Sequence, residues 1–380
     1  MTTTLTYFEP LEDGHCTFWA RMLLPAAARD PRVSRLRLVT GAEMARRLED
    51  IVKELGVELV TLSDEQLGSL RQEALLPRGR AQWAMAREAL EGVGGQLFLP
   101  VFDHAIFGAV VDRRPVPGQI SGIIFRPPNG HNHPGTLKRR LDSARRWGTY
   151  LGAQRPALRR LFTLDETAPK AAVSNATGLL TFLPDPAPDT SLLEERIQTP
   201  REDGRRCYLL FGSLGVRKGI FAMLDALAHL SPQVREKMAL RFVGRVLAQD
   251  REAFTAQLSQ AREDYPEMAL EWVDEFVSDE TLAQEVVDCD VVLAPYQNHV
   301  GSSGVMFWAT AAGKPLIGPR VGLLGYQLSH YNLGLAVDTG NPEALARALE
   351  TVPARPRNEA FLRSHSPEAF TDTILDGVLS

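Results

Sequence analysis

The chain has 380 residues, 44% of them hydrophobic and 23% charged, which is the composition of an ordinary globular protein of about two domains. The net charge of −5 gives no global sign of nucleic-acid binding. The three cysteines lie far apart in the sequence, so neither a disulfide framework nor a zinc site is indicated. The start has no signal-peptide pattern and no apolar run reaches about 18 residues, so we expect a soluble cytoplasmic protein. We also expect it to work without a metal or a cofactor.

The first half alternates short β-rich runs with longer amphipathic stretches. Strands are predicted at residues 5–8, 36–39, 57–62, 96–102, 120–126, 160–163 and 179–183. Helices are predicted between them, for example at 42–55 and 79–91. Such alternation predicts βαβ units and a parallel sheet.

A proline-rich stretch interrupts this pattern at residues 183–190, because proline fixes φ and lacks the amide donor that helices and sheets need. We place an interdomain linker at 186–204. The N-terminal, acceptor-side domain is then 1–185, with the C-terminal segment 358–380 as a candidate to pack back on it. The C-terminal domain is 205–352.

The alternation restarts in the second half. Strands are predicted at 208–212, 240–244, 270–277, 291–296, 315–318 and 335–337, and helices at 218–230, 250–264, 279–287, 302–312 and 342–349. The predicted fold class is therefore α/β, with two Rossmann-like domains facing each other across a cleft. Open parallel sheets bind ligands beyond the carboxyl ends of their strands.

The first candidate binding loop is the segment 211–219, between a predicted strand and a predicted helix. Gly212 and Ser213 open a glycine-rich turn that lets the backbone approach a ligand. Arg217 and Lys218 bring two cations to the start of the following helix, where unpaired amides also attract anions. The combination suits a diphosphate; an ordinary turn with a solvated Arg-Lys pair is the alternative.

The second candidate loop spans residues 295–304, after a buried-type strand. Gly301 and Gly304 have no side chains, so the backbone amides of this loop can face an anion. Ser302 or Ser303 is a suitable N-cap for the next helix. Simple capping is the alternative interpretation. Two such loops at one sheet edge favour a shared ligand site.

Other polar candidates lie in the first half. His15, after Glu12, Asp13 and Gly14, follows the first strand and is a candidate for contact with an acceptor or a donor phosphate. His104, next to Asp103, also follows a strand, although single histidines are more often structural. Two further patterns resemble metal sites: the segment 129–133, a weak zinc signal in a loop, and 288–290, a helix-to-strand connection.

The segment 138–160 carries eight basic residues and a single acidic one, Asp142. It offers a surface for peripheral contact with an anionic membrane or an acidic acceptor; a solvated helix face is the alternative.

Taken together, the second half resembles the retaining glycosyltransferases of family four, which have the two-domain GT-B fold. The signs that carry this resemblance follow one another along the chain: Gly212, Lys218 and Gly219; Phe242-Val-Gly244; residues 275–282; residues 290–296; residues 309–317; Gly334-Leu-Ala-Val-Asp338; and residues 342–346. The likeness covers residues 208–349 well and the first half only in outline.

The resemblance implies roles for several residues. Lys218 would contact the donor diphosphate, and Gly301 to Gly304 would hold the distal phosphate and the sugar. Phe276 and Val277 would meet the nucleobase through their backbone, with Gly244 in the same region. His104 would lie near the transferred sugar, and Gly14 would correspond to the glycine loop beside the diphosphate.

Two departures from the family pattern are evident. Ser213 stands where the family usually has an arginine, so Arg217 would have to replace it. Val300 and Trp308 stand where the family carries two glutamates that contact sugar and ribose. Asn298, His299 or the pair Ser302 and Ser303 are candidates to replace those hydrogen bonds.

The leading hypothesis is a glycosyltransferase that moves a hexose from a nucleotide-diphosphate sugar, UDP-linked donors among the candidates, to an unidentified acceptor. It would work without a metal, and the resemblance implies retention. Lys218, Arg217 and His104 are the predicted catalytic residues. The alternatives are a catalytically inactive protein that binds nucleotide sugars and a nucleotide-sugar epimerase on the same fold.

Overall fold

The computed structural model describes residues 2–11, 16–71, 73–127, 137–178, 180–187, 191–194, 196–299, 301–351 and 357–380. The chain divides into two compact units. Unit 1 contains residues 1–130, 135–186 and 366–380, and the bulk of unit 2 is Ala187–His365.

Unit 1 is built on a seven-stranded sheet in which all neighbouring strands are parallel. Its strands are β1 (Thr3–Glu9), β2 (Val33–Thr40), β3 (Glu58–Thr61), β4 (Gln96–Leu99), β5 (Gln119–Ile124), β6 (Leu158–Thr163) and β7 (Leu180–Phe182). The spatial order is β3-β2-β1-β4-β5-β6-β7, so the direction of winding reverses between β1 and β4.

Helices of unit 1 connect these strands. They are α1 (Cys16–Arg29), α2 (Ala42–Arg47), α3 (Glu49–Leu55), α4 (Asp64–Ser69), α5 (Leu75–Glu88), α6 (Ala105–Val111), α7 (Leu137–Ala153) and α8 (Ala172–Thr177). Both faces of the sheet are covered: Phe8 of β1 packs in one apolar cluster, and Leu5 and Tyr7 pack in another on the opposite face.

Unit 2 has a six-stranded parallel sheet. Its strands are β8 (Arg206–Phe211), β9 (Met238–Val243), β10 (Ala269–Val273), β11 (Val291–Leu293), β12 (Leu316–Pro319) and β13 (Gly334–Val337). The order β10-β9-β8-β11-β12-β13 reverses between β8 and β11. Tyr208 and Leu209 alternate between apolar clusters on the two faces.

The remaining helices complete the chain. Those of unit 2 are α9 (Ser191–Glu194), α10 (Ile220–Ala226), α11 (Pro232–Arg235), α12 (Ala248–Asp264), α13 (Asp279–Asp288), α14 (Gly304–Ala311), α15 (Gly322–His330), α16 (Pro342–Thr351) and α17 (Glu359–Ser364). The last helix, α18 (Pro367–Leu379), belongs to unit 1, where Phe370 packs against Trp19 with ring centroids 5.3 Å apart. Among the described residues, no helix is long and apolar enough to cross a membrane.

The structure has a strand at every predicted position and corrects several boundaries. The strand predicted at 96–102 ends at Leu99, because Pro100 cannot donate to a neighbouring strand. The strand predicted at 270–277 ends at Val273, and the exposed residues that follow lie in a loop. The helix predicted at 42–55 is interrupted at Leu48, and α15 had no counterpart in the prediction. Within the segment assigned to a linker, Leu193 of α9 is buried in unit 2.

Glu9, the last residue of β1, is fully buried. One carboxyl oxygen accepts a hydrogen bond of 2.8 Å from the Leu11 amide. Burial raises the pKa of this carboxyl to about 8, because removing the charged form from water is costly. Glu9 is therefore protonated at neutral pH in the folded chain.

We expect the contribution of Glu9 to the free energy of unfolding to fall between about pH 5 and pH 8, because the unfolded chain loses the Glu9 proton there while the folded chain retains it. The slope contributed by Glu9 approaches about 1.4 kcal/mol per pH unit. Glu9→Gln should remove this contribution, as measured by urea unfolding across that pH range. Glu65→Gln, which replaces an exposed carboxylate, is the control and should behave as the parent. An unchanged slope in Glu9→Gln would contradict the assignment.

Candidate functional site

The candidate site of unit 2 lies where the strand order reverses. β8 and β11 are hydrogen-bonded neighbours, with Tyr208 opposite Val291 and Leu209 opposite Val292. Parallel strands end on the same edge of the sheet, so the loops after β8 and β11 leave side by side. Helices that follow such neighbouring strands lie on opposite faces and leave a crevice between their starts, which is where open α/β sheets bind ligands.

Two glycines let the backbone segments of this edge touch. Gly219 has φ 78°, and a Cβ there would lie 2.0 Å from the carbonyl oxygen of Pro295. Gly244 has φ 136°, and a Cβ there would lie 2.0 Å from the carbonyl oxygen of Gly212. Only glycine fits both requirements, positive φ and close approach. The loops after β8, β9 and β11 are therefore packed backbone to backbone.

A chain of hydrogen bonds joins the two predicted binding loops. The ammonium group of Lys218 donates to the hydroxyl of Tyr296 at 2.7 Å, and that hydroxyl lies 2.9 Å from Oγ of Ser303. The same ammonium group lies 4.6 Å from the centroid of the Tyr296 ring, within the range of a cation–π contact. Lys218, half-buried, is thus fixed at the start of the second loop rather than extended into solvent.

The N-cap residue of α14 provides no side-chain cap for the helix. Ser303 occupies the N-cap position, yet its side chain makes no capping hydrogen bond and faces Tyr296 instead. The first amides of a helix have no acceptor inside the helix and carry a partial positive charge. Ser303, one of the two predicted N-cap residues, thus takes the N-cap position, but its hydroxyl lies beside that of Tyr296 and accepts no helix amide.

His299 and Arg217 form the outer part of the same cluster. The ring nitrogen Nε2 of His299 lies 3.0 Å from the carbonyl oxygen of Ser302, and Nδ1 lies 3.5 Å from a guanidinium nitrogen of Arg217. Burial lowers the pKa of His299, and the charges of Arg217 and Lys218 lower it further. The imidazole is therefore neutral at pH 7; because a carbonyl only accepts, Nε2 carries the proton.

Most amides of the first loop are engaged inside the protein. Acceptors within the chain bind the amides of Gly212, Leu214, Val216, Lys218 and Gly219. Among the described residues, no acceptor is found for the amides of Ser213, Gly215 and Arg217. The predicted anion contact by this loop's backbone thus rests on those three amides.

The residues predicted to meet the nucleobase and ribose lie on two loops of this edge. Phe276 is 86% exposed after β10, and Val277 beside it is half-buried. Gly244 donates its amide to the Val273 carbonyl at 2.9 Å. Asn298 is exposed with φ 54°, a backbone conformation that asparagine tolerates better than most residues. No described contact joins Phe276 or Val277 to Lys218.

In unit 1, the predicted residues Gly14 and His15 lie outside the described part of the chain. Asp103 is tied to the backbone: its carboxylate accepts from the amides of Phe125 at 2.9 Å and Arg126 at 3.0 Å. His104 precedes α6, and its Nε2 lies 3.4 Å from a guanidinium nitrogen of Arg78. Burial lowers the pKa of His104, and the charge of Arg78 lowers it further.

Of the two sequence patterns that resemble metal sites, the one at 288–290 has its carboxylates bound to backbone amides. The carboxylate of Asp290 accepts from the Cys207 amide at 2.7 Å, and that of Asp288 accepts from the Thr199 amide at 2.7 Å. The segment 129–133 lies outside the described residues. Within the described ranges, no three His, Cys, Asp or Glu side chains are grouped to hold a metal ion.

The basic segment 138–160 is not one helix face. The side chains of 138–143 lie outside the described part of the chain, and α7 ends at Ala153. Arg145 and Arg146 are exposed on this helix. Arg155 lies beyond it, over the ring of Trp83 at 5.5 Å, and Arg159 donates to Gln119 at 3.0 Å.

Two residues alter the predicted site. Tyr296, 2% exposed, connects the loops but was not predicted; a tyrosine directly after Pro295 at a strand's carboxyl end was its only sequence signal. Trp308, 8% exposed, packs in the apolar cluster behind α14. Val300 lies outside the described residues.

Comparisons with known proteins concern the fold and the second half of the chain. Residues 205–354 match the family Glycosyl transferases group 1. A search of curated protein sequences finds no match. HepE of Anabaena in complex with UDP is 14% identical, with a TM-score of 0.65 and coverage of 98% of this chain and 99% of that chain.

Two further solved structures have the same fold. The α,α-trehalose-phosphate synthase (UDP-forming) of Burkholderia xenovorans, in complex with glucose-6-phosphate, is 12% identical, with a TM-score of 0.67 and coverage of 99% and 100%. WaaG, a glycosyltransferase of lipopolysaccharide biosynthesis, is 15% identical, with a TM-score of 0.56 and coverage of 97% and 95%. The predicted α/β class with two parallel sheets, of the GT-B type, is confirmed.

Gly219→Ala should destabilise unit 2 by about 2–4 kcal/mol, because alanine tolerates the positive φ poorly and its Cβ would overlap the Pro295 carbonyl oxygen. Thermal unfolding followed by calorimetry measures this loss. Gly304→Ala is the matched control, since a Cβ there meets nothing within 4 Å, and it should leave the transition in place. Equal effects of the two substitutions would argue against the close packing of the loops.

Proposed function

We propose that the protein is a glycosyltransferase that moves a hexose from a nucleotide-diphosphate sugar to an acceptor. The observation that carries the proposal is the hydrogen-bonded chain Lys218–Tyr296–Ser303 beside the uncapped amino end of α14. The match of residues 205–354 to group 1 glycosyl transferases supports it. A nucleotide donor is further supported by the structural similarity to a complex with UDP and glucose.

The chemical requirement of the reaction is stabilisation of the diphosphate that leaves the sugar. In our proposal, the Lys218 ammonium exchanges its Tyr296 partner for a phosphate oxygen, and the first amides of α14 face the distal phosphate. Arg217 adds a second cation at the exposed rim. Fixed donors of this kind stabilise a developing negative charge without a metal ion.

The remaining predicted residues take their roles from the same scheme. Gly212, Ser213 and Gly301 to Gly304 surround the phosphates, with Gly14 and His15 proposed for the same ligand. Gly244, Phe276 and Val277 meet the nucleobase, and Asn298 with His299 replaces the missing hydrogen bonds to ribose or sugar. His104 is proposed to lie by the transferred sugar. Retention of configuration is supported by the resemblance to family four alone.

Lys218→Ala should lower turnover by about two orders of magnitude, because it removes the cation that faces the developing charge. It should also weaken nucleotide-sugar binding by about tenfold or more, as expected for loss of a charged hydrogen bond. The donor is first found by thermal shift against UDP, GDP, ADP and dTDP sugars, since a ligand of the folded state raises the melting temperature.

The control for this substitution is Lys237→Ala, an exposed lysine directly before β9 and thus at the opposite edge of the sheet. It should leave binding and turnover unchanged. Lys218→Ala with parental affinity and parental turnover would rule out the phosphate role.

A second candidate is a protein that binds nucleotide sugars without transferring them. Trp308 favours it: where the resembled family has a carboxylate, this chain has an indole buried against the core. A donor that raises the melting temperature, with neither transfer nor hydrolysis across a broad acceptor panel, would select this candidate. Product formation would exclude it.

A further inference from the structure

A groove in unit 1 concentrates positive charge away from the predicted ligand edge. It has a volume of about 380 Å³, and its lining includes Arg113, Arg114 and Arg155, with Pro115 and Pro156 among the other residues. The segment 113–118 leads into β5 and the segment 155–157 leads into β6. The groove therefore lies at the amino ends of these strands, opposite the edge that carries Asp103 and His104.

The charge in the groove is only partly balanced. Asp112 binds Arg114 through both carboxylate oxygens, at 2.9 and 2.7 Å, and this guanidinium holds the pKa of Asp112 at about 2. Arg155 donates to the backbone carbonyl of Asp112 and lies over Trp83. In the described part of the chain, no acidic side chain forms an ion pair with Arg113. Glu88 and Glu91 lie close enough to act on the charge of Arg114 but are not paired with it, so the three arginines of the groove outnumber the one carboxylate bound to them.

The position of Arg155 is fixed by its surroundings, whereas Arg113 and Arg114 are exposed. Stacking on Trp83 and the bond to the Asp112 carbonyl hold the stem of Arg155 in place. Burial lowers the pKa of Arg155, and the neighbouring charge of Arg113 lowers it further. Like charges held close together repel each other, and a bound anion relieves that repulsion.

The backbone of the groove is stiff and close-packed. Proline at positions 115 and 156 fixes φ and offers no amide donor, so the guanidinium groups are the main donors of the lining. A Cβ on Gly118 would lie 2.5 Å from the carbonyl oxygen of Gly95, so the floor is held against the preceding turn. The volume of the groove is sufficient for a phosphate group.

We propose that the groove lined by Arg113, Arg114 and Arg155 binds a phosphate group, as a second anion site separate from the candidate site of unit 2. Guanidinium groups bind phosphate oxygens through two parallel N–H donors, a geometry that lysine does not offer. Soluble phosphorylated compounds and phospholipid headgroups share this chemistry. The proposal does not depend on sugar transfer by unit 2.

Inorganic pyrophosphate is the probe, and calorimetric titration is the measurement. The parent for the titration is Lys218→Ala, which removes the cation of the other candidate anion site. We expect this chain to bind pyrophosphate and Arg113→Gln in the same background to bind about tenfold more weakly, because one charged hydrogen-bonding group is lost. Arg145→Gln, an exposed arginine of α7 outside the groove, is the matched control and should bind as the parent does.

A second arm distinguishes the two sources of phosphate. Flotation with phosphatidylglycerol vesicles that depends on Arg113, without pyrophosphate binding, would assign the site to lipid headgroups; binding of pyrophosphate alone would assign it to soluble compounds. No binding of either probe by the Lys218→Ala parent, or equal binding by Arg113→Gln, would overturn the proposal. Circular dichroism of Arg113→Gln checks that the fold is retained.

Discussion

The geometry of the candidate site depends on one contact, the hydrogen bond of 2.7 Å between the Lys218 ammonium and the Tyr296 hydroxyl. It joins two loops that are distant in sequence and adjacent only because β8 pairs with β11. The approach also requires glycine at position 219, where the backbone meets the Pro295 carbonyl. The Lys218 ammonium is thus held beside the amino end of α14 by the strand order, by the positive φ of Gly219 and by the Tyr296 hydroxyl.

Electrostatics distinguish the corresponding edges of the two sheets. In unit 2 the edge presents Lys218 and Arg217, and His299 beside them is neutral. In unit 1, two acidic groups at strand ends are engaged within the protein. Glu9 is buried and protonated, and the carboxylate of Asp103 is bound to two backbone amides. The cations of unit 2 thus favour an anion at its edge, while Glu9 and Asp103 of unit 1 stabilise their own loops.

The strands were predictable from the sequence because each is a short apolar run between polar segments, and burial on both faces of a parallel sheet produces such runs. The glycine loops were predictable because only glycine tolerates backbones in close contact. Tyr296 was not, since a tyrosine gives no indication of the partner that its hydroxyl will find. The N-cap position of Ser303 was predictable, but the partner of its hydroxyl was not, because a serine that caps a helix and a serine bound to a tyrosine look identical in sequence.

Trp308 shows what this electrostatic arrangement implies for the proposed donor. The buried indole of Trp308, on α14, cannot accept hydrogen bonds from sugar or ribose hydroxyls, so neutral groups on the preceding loop, such as Asn298 and His299, remain for that purpose. Hydrogen bonds between neutral groups contribute about 0.5–1.5 kcal/mol, whereas those to charged groups contribute about 1.5–3 kcal/mol. In a site built this way, the diphosphate supplies most of the binding energy and the sugar supplies less. Discrimination between sugars must then come mainly from the shape of the site, and less from the strength of its polar contacts.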